Sequence, residues 1–167
     1  MKRQFLIPVC LFVFSYNGYC QTSSNDNNSL KKQFLFPKKI KLNLNTIINE
    51  IGSYTTVDGA AVGYGAIESL QYKRFKNLMS IATDSQLVAL TDYFNPNVKA
   101  YAFWALVIKH NSEVKTILTK HIHDKQSFQF LSGCIGERQN INEWFLNLAK
   151  LVLTSEEIEK YSIILKS

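Results

Sequence analysis

The chain has 167 residues, 13% of them aromatic, and a formal charge of +6. That length and apolar content suit one domain with a real core and exclude disorder throughout. Seven glycines and three prolines are too few for a turn-rich β-protein, so an all-α fold is expected.

The charge is unevenly placed. Lys31, Lys32, Lys38, Lys39 and Lys41 stand together with no acid among them, whereas from residue 42 onward twelve Lys or Arg face twelve Asp or Glu. A nucleic-acid binder carries its basic surface on the fold itself, so no nucleic-acid partner is expected. Phe34, Leu35 and Phe36 interrupt the lysines. The run reads as a solvated linker whose phenylalanines dock on the first helices, with peripheral contact to an anionic membrane as its alternative.

Residues 1–20 read as a secretory signal peptide. Lys2 and Arg3 give a basic start, Phe5 to Phe14 an apolar stretch, and Ser15, Asn17 and Gly18 a polar exit. The apolar stretch falls well short of the roughly 20 residues of a membrane-spanning helix. Gly18 and Cys20 suit the −3 and −1 positions of a cleavage site, leaving Gln21 as the new N-terminus. The competing reading makes Cys20 a lipidated first residue, but Tyr19 stands where such motifs want a small side chain. Residues 21–41 form a polar and then lysine-rich linker, and 42–167 a single helical domain. Export places the chain in the periplasm or outside the cell. Cleavage after Cys20 leaves Cys134 without an intramolecular partner; Leu131, Gly133 and Ile135 around it favour a buried, inert thiol.

Leu44, Ile47, Ile48 and Ile51 make the first helical stripe, ended by Gly52. Residues 53–65 are rich in Gly and Ala but lack the Lys-Ser/Thr ending of a phosphate-binding loop. Ile67, Leu70, Phe75, Leu78 and Ile81 mark the second helix, with Lys73, Arg74 and Lys76 outside. Thr83 and Gln86 form a capping box for a third helix carrying Leu87 and Leu90. Asn95 caps the next, and Pro96 takes its first position, where a missing N–H costs nothing. That helix is apolar nearly all round, through Val98, Tyr101, Ala102, Phe103, Trp104, Ala105 and Val107, so it is sandwiched between neighbours. Val114, Ile117 and Leu118 follow on another. Residues 124–138 admit either a short irregular helix or an extended segment. Asn140 with Glu143 and Thr154 with Glu157 cap two final helices. The total is seven or eight short helices, paired antiparallel by tight turns.

Residues 84–124 resemble a HEAT repeat. The match lies in Leu87 and Leu90, then Asn95-Pro96, Val98-Lys99, Ala102, Ala105 and Leu106; Lys99 stands where Arg is usual. The chain looks similar to small exported bacterial HEAT-like proteins. The resemblance implies a compact α-α superhelix, a stack of antiparallel helical hairpins, acting as a non-enzymatic protein- or peptide-binding scaffold. Lys73, Arg74, Lys109 and Lys115 are candidates for its binding face.

Two alternatives stand beside it. An exported hydrolase or metal-dependent enzyme would use His121, His123, Asp124 or Cys134. Imidazoles two apart on a helix diverge, so His121 and His123 share a metal only in an extended turn, with His110 as a further candidate ligand. No cofactor is expected. The other alternative is a structural lipoprotein tethered through Cys20. Mass spectrometry of the mature chain distinguishes these fates: cleavage predicts Gln21 at the N-terminus, and a diacylglycerol mass on Cys20 shows the tether instead.

Overall fold

The computed structural model describes residues 43–166. They lie in one compact unit, Lys39–Ser167. The signal-peptide reading, the linker with its five lysines, and Cys20 fall outside the described residues.

The expectation of an all-α helical repeat is overturned. Seven helices are present among the described residues, but they pack with a four-stranded mixed sheet. Helix α1 (Leu44–Ser53) leads into strand β1 (Thr56–Val62), which turns back as β2 (Ile67–Glu68). Helices α2 (Leu70–Ile81), α3 (Asp84–Leu90), α4 (Pro96–Ile108) and α5 (Val114–Lys120) follow. A second hairpin, β3 (Ser127–Gly133) and β4 (Ile135–Asn140), precedes α6 (Ile141–Ala149) and α7 (Ser155–Lys166). The spatial order is β2-β1-β3-β4, with β1 and β3 parallel and each hairpin antiparallel.

The physical reason for the sheet lies in few residues. Two hairpins need only two tight turns, and Gly63 (φ 74°) and Gly133 (φ 56°) supply the left-handed backbone there. Glycine elsewhere in β1 also has a use: a Cβ on Gly59 would stand 3.0 Å from the Ser132 hydroxyl oxygen of β3. In β3, Phe128 and Phe130 share one face with period two, and both pack on Trp144 of α6. The segment 124–138 is therefore extended.

The capping chemistry sets the helix starts. Thr83 and Gln86 form the reciprocal box on α3, and the Asn95 side chain accepts from the Asn97 and Val98 amides ahead of α4. Thr154 and Glu157 exchange the same pair of bonds before α7. Asn140 makes no such bond; the Asn142 side chain accepts from the Glu143 amide instead.

Helix α4 is the centre of the core. Every residue from Asn97 to Phe103 is buried, and its aromatics reach three ways. Tyr101 and Trp104 stack on Phe75 of α2, Phe103 stacks on Phe145 of α6 at 3.9 Å, and Trp104 meets Trp144 edge-on. Such pairs add to the area they bury.

Tyr101 also closes the sheet. Strand β2 pairs with β1 only at Ala61 and Val62, so the earlier part of that edge of β1 has no strand beside it. Side chains and a turn replace one. Gln71 Nε2 donates to the Thr56 carbonyl, and the Ser69 amide to the Ala60 carbonyl. Between them the Tyr101 hydroxyl accepts from the Asp58 amide at 2.7 Å and donates to the Asp58 carbonyl at 2.9 Å. Burial holds this phenol far above its ordinary pKa, so it stays a donor. Replacing Tyr101 with Phe keeps the ring and strands both groups of Asp58, which is 2% exposed. Equilibrium urea unfolding should show a loss of about 2 kcal/mol with an unchanged m-value.

Candidate functional site

Three polar or apolar concentrations stand out in the described residues. The first is a buried charge cluster. The Lys99 ammonium, on the inner helix α4, reaches Asp124 Oδ2 at 2.7 Å, with side chains only 9% and 15% exposed. Asp124 lies between α5 and β3, and its other oxygen accepts from the Gln126 amide while its carbonyl accepts from the Asn142 amide. His121, at the end of α5, places Nδ1 3.3 Å from Asp124 Oδ2 and Nε2 3.2 Å from Asp92 Oδ1. Asp92 also holds Lys120 at 2.7 Å. Burial pushes the Asp124 carboxyl up, but the Lys99 hydrogen bond, the Gln126 amide and the Lys99 charge outweigh it and hold it below the ordinary value. The Asp92 carboxyl is lowered chiefly by Lys120.

The sequence-derived candidates separate here. His121 and Asp124 come together, joined by Lys99 and Asp92, which the sequence reading did not single out. His123 is exposed. His110 lies past the far end of α4 from Lys99, about 16 Å along the helix axis. Cys134 sits at the β3–β4 turn, roughly 20 Å beyond the cluster along β3. It is exposed rather than buried, because a hairpin tip has nothing packed over it. The described residues contain no group of three or more His, Cys, Asp or Glu arranged to hold a metal. On Asp124 the ammonium of Lys99 already takes the place of a cation.

The proposed binding face disperses. Lys73 pairs with Glu68, Arg74 with Glu50, Lys109 with Asp84 and Lys115 with Glu157. Lys73 and Arg74 share α2, while Lys109 ends α4 and Lys115 lies on α5, and each is matched by an acid. Glu157, held by Lys115 and the Thr154 cap, titrates at about 2.

The second concentration is an open groove of about 400 Å³ where β1 and β3 begin. Tyr54, Asn97, Gln129 and Arg138 line it, yet its polar groups are largely engaged: Asn95 caps α4 and donates to Gly52, Asn97 donates to Tyr54, and Arg138 donates to Ser127.

The third lies at the opposite end of the same strands. Because β1 and β3 are parallel, their turns emerge side by side, and the Gly63 amide donates to the Gly133 carbonyl at 2.8 Å. The two turns present Tyr64 (101% exposed), Ile67 (71%) and Ile135 (72%). A single exposed apolar residue is ordinary; here three stand at one end of the sheet, with Ile67 on edge strand β2 and Ile135 on edge strand β4. Alternation and helical spacing could not reveal this group, since only the parallel pairing brings its members to one end of the sheet.

The chain matches no family model, no curated protein and no solved structure. No described helix is long and apolar enough to cross a membrane.

The buried pair makes a test of the cluster. Asp124 has a lowered pKa, so its contribution to stability is present above about pH 4 and is lost as the pH falls through its folded value. Lys99→Met leaves the carboxylate without its cation and should cost ~3 kcal/mol at pH 7. Urea unfolding between pH 3 and 7 should also show a flatter acid limb in the variant.

Proposed function

We propose that this chain is a non-enzymatic, exported binding module that holds a protein partner on the apolar end of its sheet. Export rests on the reading of residues 1–20. The binding reading rests on one observation: the parallel pairing of β1 and β3 brings both turns to one end of the sheet, where Tyr64, Ile67 and Ile135 are exposed, the two isoleucines on opposite edge strands. Tyrosine and isoleucine supply large contact area at small entropic cost, and interface cores are rich in such side chains.

Charge favours a protein over a membrane as the partner. A lipid-docking tip calls for uncompensated cations beside the apolar residues. Here Glu68, next to Ile67, takes up both Lys73 and Lys76. Glu137 adds an acid two residues from Ile135. The end of the sheet is therefore apolar and close to neutral, as a dry protein contact needs.

The test is a triple substitution, Tyr64→Ser with Ile67→Ser and Ile135→Ser, in the full chain. The side chains are exposed, so the melting temperature should hold. A partner captured from envelope extract by the parent chain, and identified, should bind the variant at least tenfold more weakly by calorimetry. Equal affinity of the two chains would overturn the reading, as would binding to anionic vesicles that the substitution abolishes.

A further inference from the structure

Among the described residues, His121 Nε2 is the one buried side-chain nitrogen or oxygen without a hydrogen-bond partner. It lies 3.2 Å from Asp92 Oδ1, near enough for an ion pair but out of line for a hydrogen bond. The ring is 8% exposed and sits edge-on to Phe145 of α6, so water does not make good the shortfall.

The chemistry of imidazole frames the problem. A neutral ring has one N–H and one bare lone pair. With the proton on Nδ1, Asp124 receives a hydrogen bond and the Nε2 lone pair faces the Asp92 carboxylate. With the proton on Nε2, the same conflict falls on Asp124. Only the imidazolium donates to both carboxylates. We propose that His121 is a proton-operated clasp: when charged it ties Asp92, in the α3–α4 turn, to Asp124, in the α5–β3 turn, and when neutral it releases Asp92.

The release falls on Asp92 because Asp124 has other holds. Lys99, the Gln126 amide and the Asn142 amide keep Asp124 in place. Apart from the bond of its amide to the Ala89 carbonyl, Asp92 is held by the solvent-facing Lys120, whose side chain is 61% exposed, so water and salt screen that pair. The charged groups facing the ring are then Asp92 from the α3–α4 turn, Asp124 from the α5–β3 turn, Lys99 from α4 and Lys120 from α5. Both carboxyls are held below their ordinary values, so both are ionised at neutral pH.

The clasp has a structural readout. Asp92 stands three residues before Asn95, which caps α4, donates to the Gly52 carbonyl and borders the groove at the start of β1 and β3. Loosening Asp92 loosens the turn that shapes one wall of that groove.

Amide hydrogen exchange of the full chain between pH 5 and pH 8 tests the idea, with each rate divided by its intrinsic value. Protection of the Asp92 and Tyr93 amides, which donate to the Ala89 and Leu90 carbonyls, should fall roughly five- to tenfold as the pH rises, the weight of one partly buried ion pair. His121→Gln, which stays neutral, and Asp92→Asn, an exposed change that leaves the ring in place, should each remove that dependence. A flat profile in the parent chain, or the parent's profile retained in either variant, would overturn the proposal.

Discussion

A β2 of two residues cannot pair a β1 of seven, and much of the fold follows from making good that shortfall. Buried backbone donors and acceptors need partners. Along the open edge of β1 those partners come from Gln71 and Ser69 at the start of α2 and from Tyr101 in the middle of α4. Tyr101 can serve only if α4 runs close against the sheet, and that in turn fixes which of its residues are interior. The phenol ring that delivers the hydroxyl is also stacked on Phe75. One side chain thereby joins the hydrogen-bond account of the sheet to the packing of the core.

The rest of the interior grows outward from α4. Its apolar character on every side, which would be costly in a surface helix, is used here by α2, α3, α6 and both parallel strands. Even its one lysine is turned inward. Lys99 holds Asp124, three residues before β3, so the helix is tied to β1 by a hydroxyl and to the approach of β3 by an ammonium. The ends of the parallel pair are left for other uses, a polar groove where the strands start and an apolar tip where they finish.

The helices were legible because their signals are local. A Thr three residues before Gln, or an Asn directly before Pro, states a helix start without reference to the rest of the chain. The burial of α4 was legible as well, from apolar residues on every face. The sheet was not, since its strands are short and one is atypical: Thr56 to Val62 contains Asp, Gly and two Ala in place of a β-branched run. Its open edge is satisfied by Tyr101, Gln71 and Ser69, none of them adjacent in sequence. The alternation of Phe128 and Phe130 was visible, but Gly133 and Gly136 obscured its length. Lys99 and Cys134 reverse expectation for related reasons. A lysine reads as surface until a buried carboxylate is supplied from 25 residues away, and a thiol among apolar neighbours reads as core until those neighbours prove to form a hairpin tip.

Charge explains why recognition falls to apolar contact. Many of the surface lysines have an acid within reach, and the pairs link neighbouring elements: Lys109 to the start of α3, Lys115 to α7, Lys120 to the α3–α4 turn. Such pairs are screened by water and salt. They leave little local field with which to steer a charged ligand, in keeping with twelve cations and twelve anions from residue 42 onward. A surface balanced in this way discriminates by shape and by desolvation. Ile67 and Ile135, exposed on the two edge strands at one end of the sheet, are placed to gain from both.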